Sequence, residues 1–259
     1  MIRAILFDFG QTIVDSAEGF RTAERETETR IFEDLGLESW PEFLSQYRRL
    51  RQGFHANSNF SRVALWRRVY LNYSRRPDRG FLLKAECDYW ETVKSEMRLF
   101  PETNAVLEQL APRFQLGLIT NTQGQAASGK HRLSLVPELT GFFEVIVVAG
   151  EASVPAKPDP EPFRLCLEKL NVAPAEAIYV GDDWRIDICG AERAGIQPVW
   201  LQHQAVTRKW PSVERAVPII TSLEPLLDLE SLGIQSASRA GTLAARLPGS
   251  WMALSTSCL

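Results

Sequence analysis

Residues 2–15 read IRAILFDFGQTIVD, and the fold is decided where this run changes character, at position 8. The first six residues are apolar except for Arg3, the composition of a strand with both faces buried. Asp8 places a carboxylate at the carboxyl end of that strand, and Thr12 adds a hydroxyl four residues later. Ligands of open α/β sheets bind outside the carboxyl ends of the strands, so Asp8 is where chemistry is expected. Position 10, where a second carboxylate could stand beside the first, is glycine.

Short apolar runs bounded by turn residues recur at 114–120 (FQLGLIT), 143–149 (FEVIVVA), 178–180 (IYV) and 199–201, with a weaker one at 219–220. Helical patterns lie between the later ones, at 160–170 (PEPFRLCLEKL) and 187–194. Strands alternating with helices predict a parallel sheet covered on both faces. The first interval breaks this rhythm. Its stretches TAERETETRIFEDL, PEFLSQYRRLRQGF, RVALWRRVYLNY and LKAECDYWETVKSEM are rich in helix formers and aromatics. They predict an all-helical insertion over residues 17–99, opened by a capping box at 15–18 (DSAE). Residues 100–102 (FPE) mark the return to the core, with a helix from there to about residue 110. The expected organisation is an α/β core from residues 1–16 and 100–234, a helical domain at 17–99, and a tail at 235–259. The tail is small and polar without periodicity, and disorder or a loosely docked helix both fit it.

Composition narrows the function classes. With 259 residues, 45% hydrophobic and 24% charged, the chain has the make-up of a globular protein of one large domain or a domain plus an insertion. A net charge of −3 gives no reason to expect a nucleic acid or an anionic membrane as partner. Cys87, Cys166, Cys189 and Cys258 are scattered, with no C-x-x-C pair, which reads as a reduced, cytoplasmic chain. No run approaches the roughly 18 apolar residues of a membrane span. The apolar start ends at Asp8, too short for a signal-peptide core.

Four clusters carry chemistry. Asp8 and Thr12 supply a possible nucleophile or hard-metal ligand and a hydroxyl, although a lone Asp at a strand end is commonly a helix cap. Thr120 and Asn121, closing the second core strand, suit the oxygens of an oxyanion or simply a turn. Lys157 lies in the Pro-flanked run 156–160 (AKPDP), which favours a fixed cation over a solvated one. Residues 181–187 (GDDWRID) put Asp182, Asp183 and Asp187 after a strand, a concentration of charge that is costly unless a cation joins it. Hard oxygen ligands there suit Mg²⁺, and acids at a helix N-terminus are the alternative.

Taken in this order, DFGQT, ITN, AKPDP and GDDWRID resemble the motifs of the haloacid dehalogenase superfamily, in the branch with a helical cap between the first two motifs. The resemblance covers about residues 1–229 and is least close in the cap. It implies a Rossmann-like doubly wound core with Asp8 as a nucleophile that becomes an aspartyl-phosphate. Mg²⁺ would be held by Asp8, the carbonyl of Gly10 and Asp182, with Asp183 or Asp187 helping directly or through water. Thr120 would bind the transferring phosphoryl group, with Asn121 and Thr12 also on the substrate side. Lys157 would offset the charge of Asp8 and the phosphoryl oxygens. The implied partner is a small phosphorylated metabolite, handled by a monomer or homodimer.

In phosphatases of this family the residue two after the nucleophile is usually a second aspartate, which protonates the leaving oxygen and then activates water. Gly10 can do neither. General acid–base catalysis contributes about 10²–10⁴-fold, so three readings follow. The substrate can have a good leaving group, such as an acyl or anomeric phosphate. Asp15, His55 or Gln11 can supply or position the proton or water. Or the site binds phosphate and metal with little turnover. The dehalogenases usually carry tyrosine at this place and do not need the acidic cluster. The phosphonate-cleaving branch uses a cap lysine, for which only Lys84 and Lys94 are available. Between Arg48 and Arg79 there are nine arginines and one acid, Asp78, interleaved with Phe54, His55, Phe60, Trp66 and Tyr70. A basic-aromatic face suits a second anionic group on the substrate, while a solvated helix face is the plainer reading. Trp66 and Tyr70 also suit a cap–core or dimer interface.

Overall fold

The computed structural model describes residues 1–122, 132–150, 153–214 and 216–235. In chain order the elements are β1 (Ala4–Phe7), β2 (Val14–Asp15), α1 (Ala17–Asp34), α2 (Trp40–Ala56), α3 (Arg62–Asn72), α4 (Arg79–Glu96), β3 (Arg98–Leu99) and α5 (Thr103–Leu110). There follow β4 (Gln115–Asn121), α6 (Pro137–Thr140), β5 (Val145–Ala149), α7 (Glu161–Leu170) and β6 (Ala177–Gly181). A π-helical turn (Trp184–Ile188), α8 (Cys189–Arg193), β7 (Gln197–Leu201) and β8 (Ile219–Ile220) complete the described core.

Six strands form one parallel sheet in the order β5-β4-β1-β6-β7-β8. Side chains alternate across it. Ile5 and Phe7 join one apolar cluster with Leu118, Val180, Leu107 and Leu226, and Ala4 and Leu6 join another with Ile119, Tyr179, Phe163 and Leu170. A β1 strand buried on both faces is therefore what made residues 4–7 apolar without interruption. The chain runs outward from β1 to β4 and β5, and α7 then carries it back to β6 on the other side of β1. Direction thus reverses beside β1, a topological switch point. The expected α/β sheet with covered faces is what the structure contains, its strand ends differing from the apolar runs by one or two residues.

The helices α1–α4 lie between β2 and β3, which pair antiparallel as Val14↔Leu99 and Asp15↔Arg98. This ribbon, two residues per strand, is too short to leave a periodic signal, and it brings the chain out of and back into the core at one place. The four helices bury their own apolar cluster, including Phe43, Tyr47, Trp66, Tyr89 and Trp90. Trp66 and Tyr70, read from sequence as suited to an interface, are buried inside this cluster. Of the capping box at 15–18 the Asp15 half is present, its Oδ1 accepting from the Ala17 N–H at 2.8 Å, while Glu18 pairs with Arg21. The single helix expected at 187–194 divides into the π turn and α8. Asp183 Oδ1, accepting from the Ile186 N–H at 2.8 Å, starts that turn.

Among the described residues no helix is long and apolar enough to cross a membrane. The tail reading falls almost wholly on 236–259, outside the described residues. The sheet is tightly covered at Gly117, where a Cβ would lie 2.7 Å from both Cys166 Sγ and Leu6 Cδ2. Gly117→Ala is expected to cost about 1–3 kcal/mol through overpacking. A urea midpoint as high as that of the unaltered protein would contradict this packing.

Candidate active site

Asp8 follows β1 directly, and its N–H donates to the carbonyl of Val180 at 2.9 Å. Phe7 pairs with Leu118 on one side and Val180 on the other, so Thr120 and Asp182, each two residues further on, flank Asp8 at the same sheet edge. Parallel register alone brings three of the four sequence clusters together. The fourth arrives by loop. Lys157 is 1% exposed, and its Nζ donates to Asp8 Oδ1 (2.7 Å), Asp187 Oδ1 (2.7 Å) and the carbonyl of Ile119 (2.9 Å), with the Tyr179 hydroxyl oxygen also at 2.7 Å. One ammonium thus ties β1, β4, β6 and the π turn together.

Asn121 holds that lysine in place. Its Oδ1 accepts from the Lys157 N–H at 2.8 Å and its Nδ2 donates to the Lys157 carbonyl at 3.1 Å. Both halves of the amide are engaged with the lysine's own backbone, which gives Asn121 a positioning role beside its place in the cavity wall. Asp187 is 1% exposed and accepts from Lys157, from the Tyr179 hydroxyl (3.0 Å) and, at Oδ2, from the Asp183 N–H (3.0 Å). Gly181 makes room for it: a Cβ there would lie 2.5 Å from Asp187 Cβ.

Asp8, Gly10, Gln11, Thr120, Asn121, Lys157, Asp182, Asp183 and Asp187 line one cavity of about 190 Å³, closed on its far side by Phe20 and Phe60 from the helical insertion. Thr12 is not in its wall. Thr12 is wholly buried, and its Oγ1 is without a hydrogen-bond partner among the described residues.

Sequence reading missed two members of this site. Tyr179 sits mid-strand and reads as an ordinary core aromatic until its hydroxyl is placed. Arg208 lies in a polar loop after β7, where nothing in the local pattern singles it out. Its Nη1 donates to Asp182 Oδ2 at 2.7 Å and its Nη2 to the Asp182 carbonyl at 2.6 Å. The guanidinium also lies over the Trp210 ring, 4.0 Å from its centroid.

The three alternative proton carriers are each engaged elsewhere. Asp15 caps α1. Gln11, with its amide oriented to match its neighbours, donates to Asp15 Oδ1 (3.1 Å) and accepts from the N–H groups of Ser16 (3.2 Å) and Ala17 (2.9 Å). His55 is absent from this cavity's wall; burial, aided by Arg62 and Arg51, lowers its pKa to about 4, so it is neutral near pH 7. Lys84 is 76% exposed at its side chain and pairs with Asp88 at 3.1 Å, a surface arrangement.

The donor set suits a hard divalent cation. Asp8, Asp182 and Asp187 offer ligand oxygens that all lie within 4.8 Å of one another. Lys157 and Arg208 are the two cations paired with these three carboxylates. Burial lifts the Asp8 carboxyl to about 6, against the pull of Lys157 and with the push of Asp187. Burial likewise raises Asp182 well above the ordinary carboxylate range, with Arg208 opposing. Both shifts mark negative charge that the protein's own cations leave incompletely offset. Asp183, spent on capping the π turn, stands apart from this trio.

A family description, haloacid dehalogenase-like hydrolase, matches residues 2–195. The chain is 30% identical over 222 residues to glyceraldehyde 3-phosphate phosphatase of Methanopyrus kandleri, a match spanning 84% of this chain and 91% of that protein. It is 29% identical over 209 residues to phosphoserine phosphatase of Thermus thermophilus, spanning 77% and 81%. The crystal structure of 2-haloacid dehalogenase from Pseudomonas syringae aligns with a TM-score of 0.61 at 25% identity, covering 90% of this chain and all of that one (100%).

Two outcomes follow from the charge balance. Because the Asp8 pKa is raised, its proton persists above the ordinary carboxylate range and must leave before a cation binds. Mg²⁺ affinity measured calorimetrically is therefore expected to rise as pH climbs through about 6; equal affinity at roughly pH 5 and 7 would contradict it. Arg208→Gln removes one of the two balancing cations. It is expected to lower the melting temperature of the metal-free protein, and added Mg²⁺ is expected to raise that temperature more than in the unaltered chain.

Proposed function

The chain belongs to the haloacid dehalogenase-like hydrolases, and on that premise we propose that it is a Mg²⁺-dependent phosphatase of a small phosphorylated metabolite, working through a phosphorylated Asp8. The observation that carries this reading is the Lys157 ammonium bonded to Asp8 at the switch point, beside a trio of carboxylates in a cavity of about 190 Å³. The relatives named as phosphatases of glyceraldehyde 3-phosphate and phosphoserine support a phosphate ester as the substrate class. Gly10 and the acidic trio argue against the dehalogenase chemistry of the structural neighbour. The helical insertion acts as the cap, since Phe20 and Phe60 close the cavity over Asp8. A cytoplasmic setting agrees with Cys87 and Cys166 standing outside any disulfide bond.

Asp8 attacks phosphorus through a carboxylate oxygen; the new O–P bond forms as the P–O bond to the leaving group breaks. Lys157 holds Asp8 in place and offsets charge where two anions must meet. Thr120, at the adjacent strand end, stands by the phosphoryl oxygens. Mg²⁺ held by Asp8, Asp182 and Asp187 would supply the remaining neutralisation. Water then attacks phosphorus, releasing inorganic phosphate and restoring Asp8. The leaving oxygen departs without a proton from position 10. None of Asp15, Gln11 and His55 stands ready to give one, so the enzyme is suited to leaving groups that tolerate departure as anions.

Acyl and aryl phosphates are accordingly expected to exceed simple alkyl phosphates in kcat/KM by about 10²–10⁴ with Mg²⁺ present. Gly10→Asp is expected to narrow that gap by accelerating the alkyl esters. Asp8→Asn or chelation is expected to abolish turnover, and undiminished activity in Asp8→Asn would overturn the mechanism. A second reading, a phosphate-binding protein with negligible turnover, draws on the same absence of a proton donor. Turnover of an acyl phosphate decides between the two.

A further inference from the structure

The cavity at Asp8 does not end at Phe20 and Phe60. These two residues, with Asp183 and Ile186, also line a second cavity of about 520 Å³ that opens between the cap and the π turn. Shared walls make the two spaces neighbours, the larger one lying on the side of the Asp8 cavity where Phe20 and Phe60 stand.

The walls of the larger cavity are charged in an uneven way. Arg21, Arg25, Arg48, Arg51 and Arg62 face it together with Glu24, Glu28 and His55. Arg21 is paired with Glu18 outside the cavity wall. Glu24 is saturated: it accepts from the hydroxyls of Tyr47 (2.9 Å) and Tyr89 (3.1 Å), and pairs with Arg51 at 3.0 Å and Arg62 at 3.8 Å. Burial and the neighbouring Glu24 raise the Glu28 carboxyl, with Arg51 and Arg48 opposing. His55 is uncharged near pH 7. Arg25 and Arg48 have no ion-pair partner within 4.0 Å among the described residues. Arg62, 6% exposed, turns its Nε toward Glu24 at 3.8 Å, beyond hydrogen-bond reach, and the buried Nε2 of His55 is without a hydrogen-bond partner among the described residues. Against Glu24, Glu28 and Asp183 the five arginines leave Arg25 and Arg48 without an ion-pair partner among the described residues, and such a wall suits an anion.

We propose that this cavity is a subsite for a second acidic group, carboxylate or phosphate, on the substrate's leaving portion, received by Arg25, Arg48 and Arg62. The inference deepens the phosphatase reading and rests on it for the identity of the reacting end. Arg185, within the π turn, donates to the carbonyl of His55, a residue of the cavity wall, at 2.8 Å. The cap and the catalytic loop are therefore linked at the place where the second acid would sit.

The test compares two esters that differ only there, 4-carboxyphenyl phosphate and 4-carbamoylphenyl phosphate, with Mg²⁺ and the full-length chain. The carboxylate ester is expected to show a kcat/KM about 10- to 100-fold higher, the size of a charge-assisted hydrogen bond. In the Arg25→Ala, Arg48→Ala double variant, whose two changes are at exposed positions, that ratio is expected to fall toward one. Equal kcat/KM for both esters, or a ratio the double variant leaves intact, overturns the subsite while the phosphatase reading stands. If neither ester is hydrolysed, the phosphatase reading fails, and calorimetric binding of the same pair judges the subsite separately. Tighter binding of the carboxylate ester, lost in the double variant, upholds it, and equal binding overturns it.

Discussion

One buried ammonium organises this protein. Lys157 is 1% exposed, and burying a lone cation there would be prohibitive without Asp8 and Asp187 at 2.7 Å. Burial works against its charge, yet the two carboxylates hold its pKa above the ordinary lysine value. The same bonds orient Asp8 at the switch point and anchor the π turn through Asp187. Asn121 and Tyr179 exist in their present positions to serve that cation. Structure and catalytic arrangement are here one network, so a change to Lys157 cannot be read as affecting only one of them.

The network is overfilled with acid. Among the described residues three carboxylates meet two cations, and burial, aided by the neighbouring carboxylates, raises Asp8 and Asp182 despite Lys157 and Arg208. Arg208 relieves part of it from the solvent side, because it bonds both the side chain and the carbonyl of Asp182.

Much of this was legible in the sequence, for physical reasons that differ from residue to residue. The strands announced themselves because β1 and β6 are buried on both faces and tolerate only apolar side chains. Asp8, Thr120 and Asp182 could be placed because each stands at the carboxyl end of a strand and parallel pairing brings those ends together, while Lys157 was marked by its Pro-flanked run. Arg208 could not, because its contact with Asp182 depends on the path of an irregular loop. Tyr179 was hidden by its own strand, where an aromatic is ordinary core. The ribbon of β2 and β3 is shorter than any period. The roles of Asn121 and Asp183 also needed coordinates, since a turn amide, a helix cap and a ligand read alike in one dimension.

The absence of a carboxylate at position 10 and the excess of arginine in the cap belong to one electrostatic problem. A leaving oxygen that receives no proton departs with negative charge, and its departure is slowed by every anion nearby. Arg25 and Arg48, in the wall of the neighbouring cavity and without an ion-pair partner within 4.0 Å among the described residues, put positive charge on the side of the Asp8 cavity where Phe20 and Phe60 stand. Preorganised positive groups lower the free energy of developing anions without needing to transfer a proton. On the proposed reading, the arginines of the helical insertion would serve twice, receiving an acidic group of the substrate and easing the loss of a leaving group that Gly10 cannot protonate.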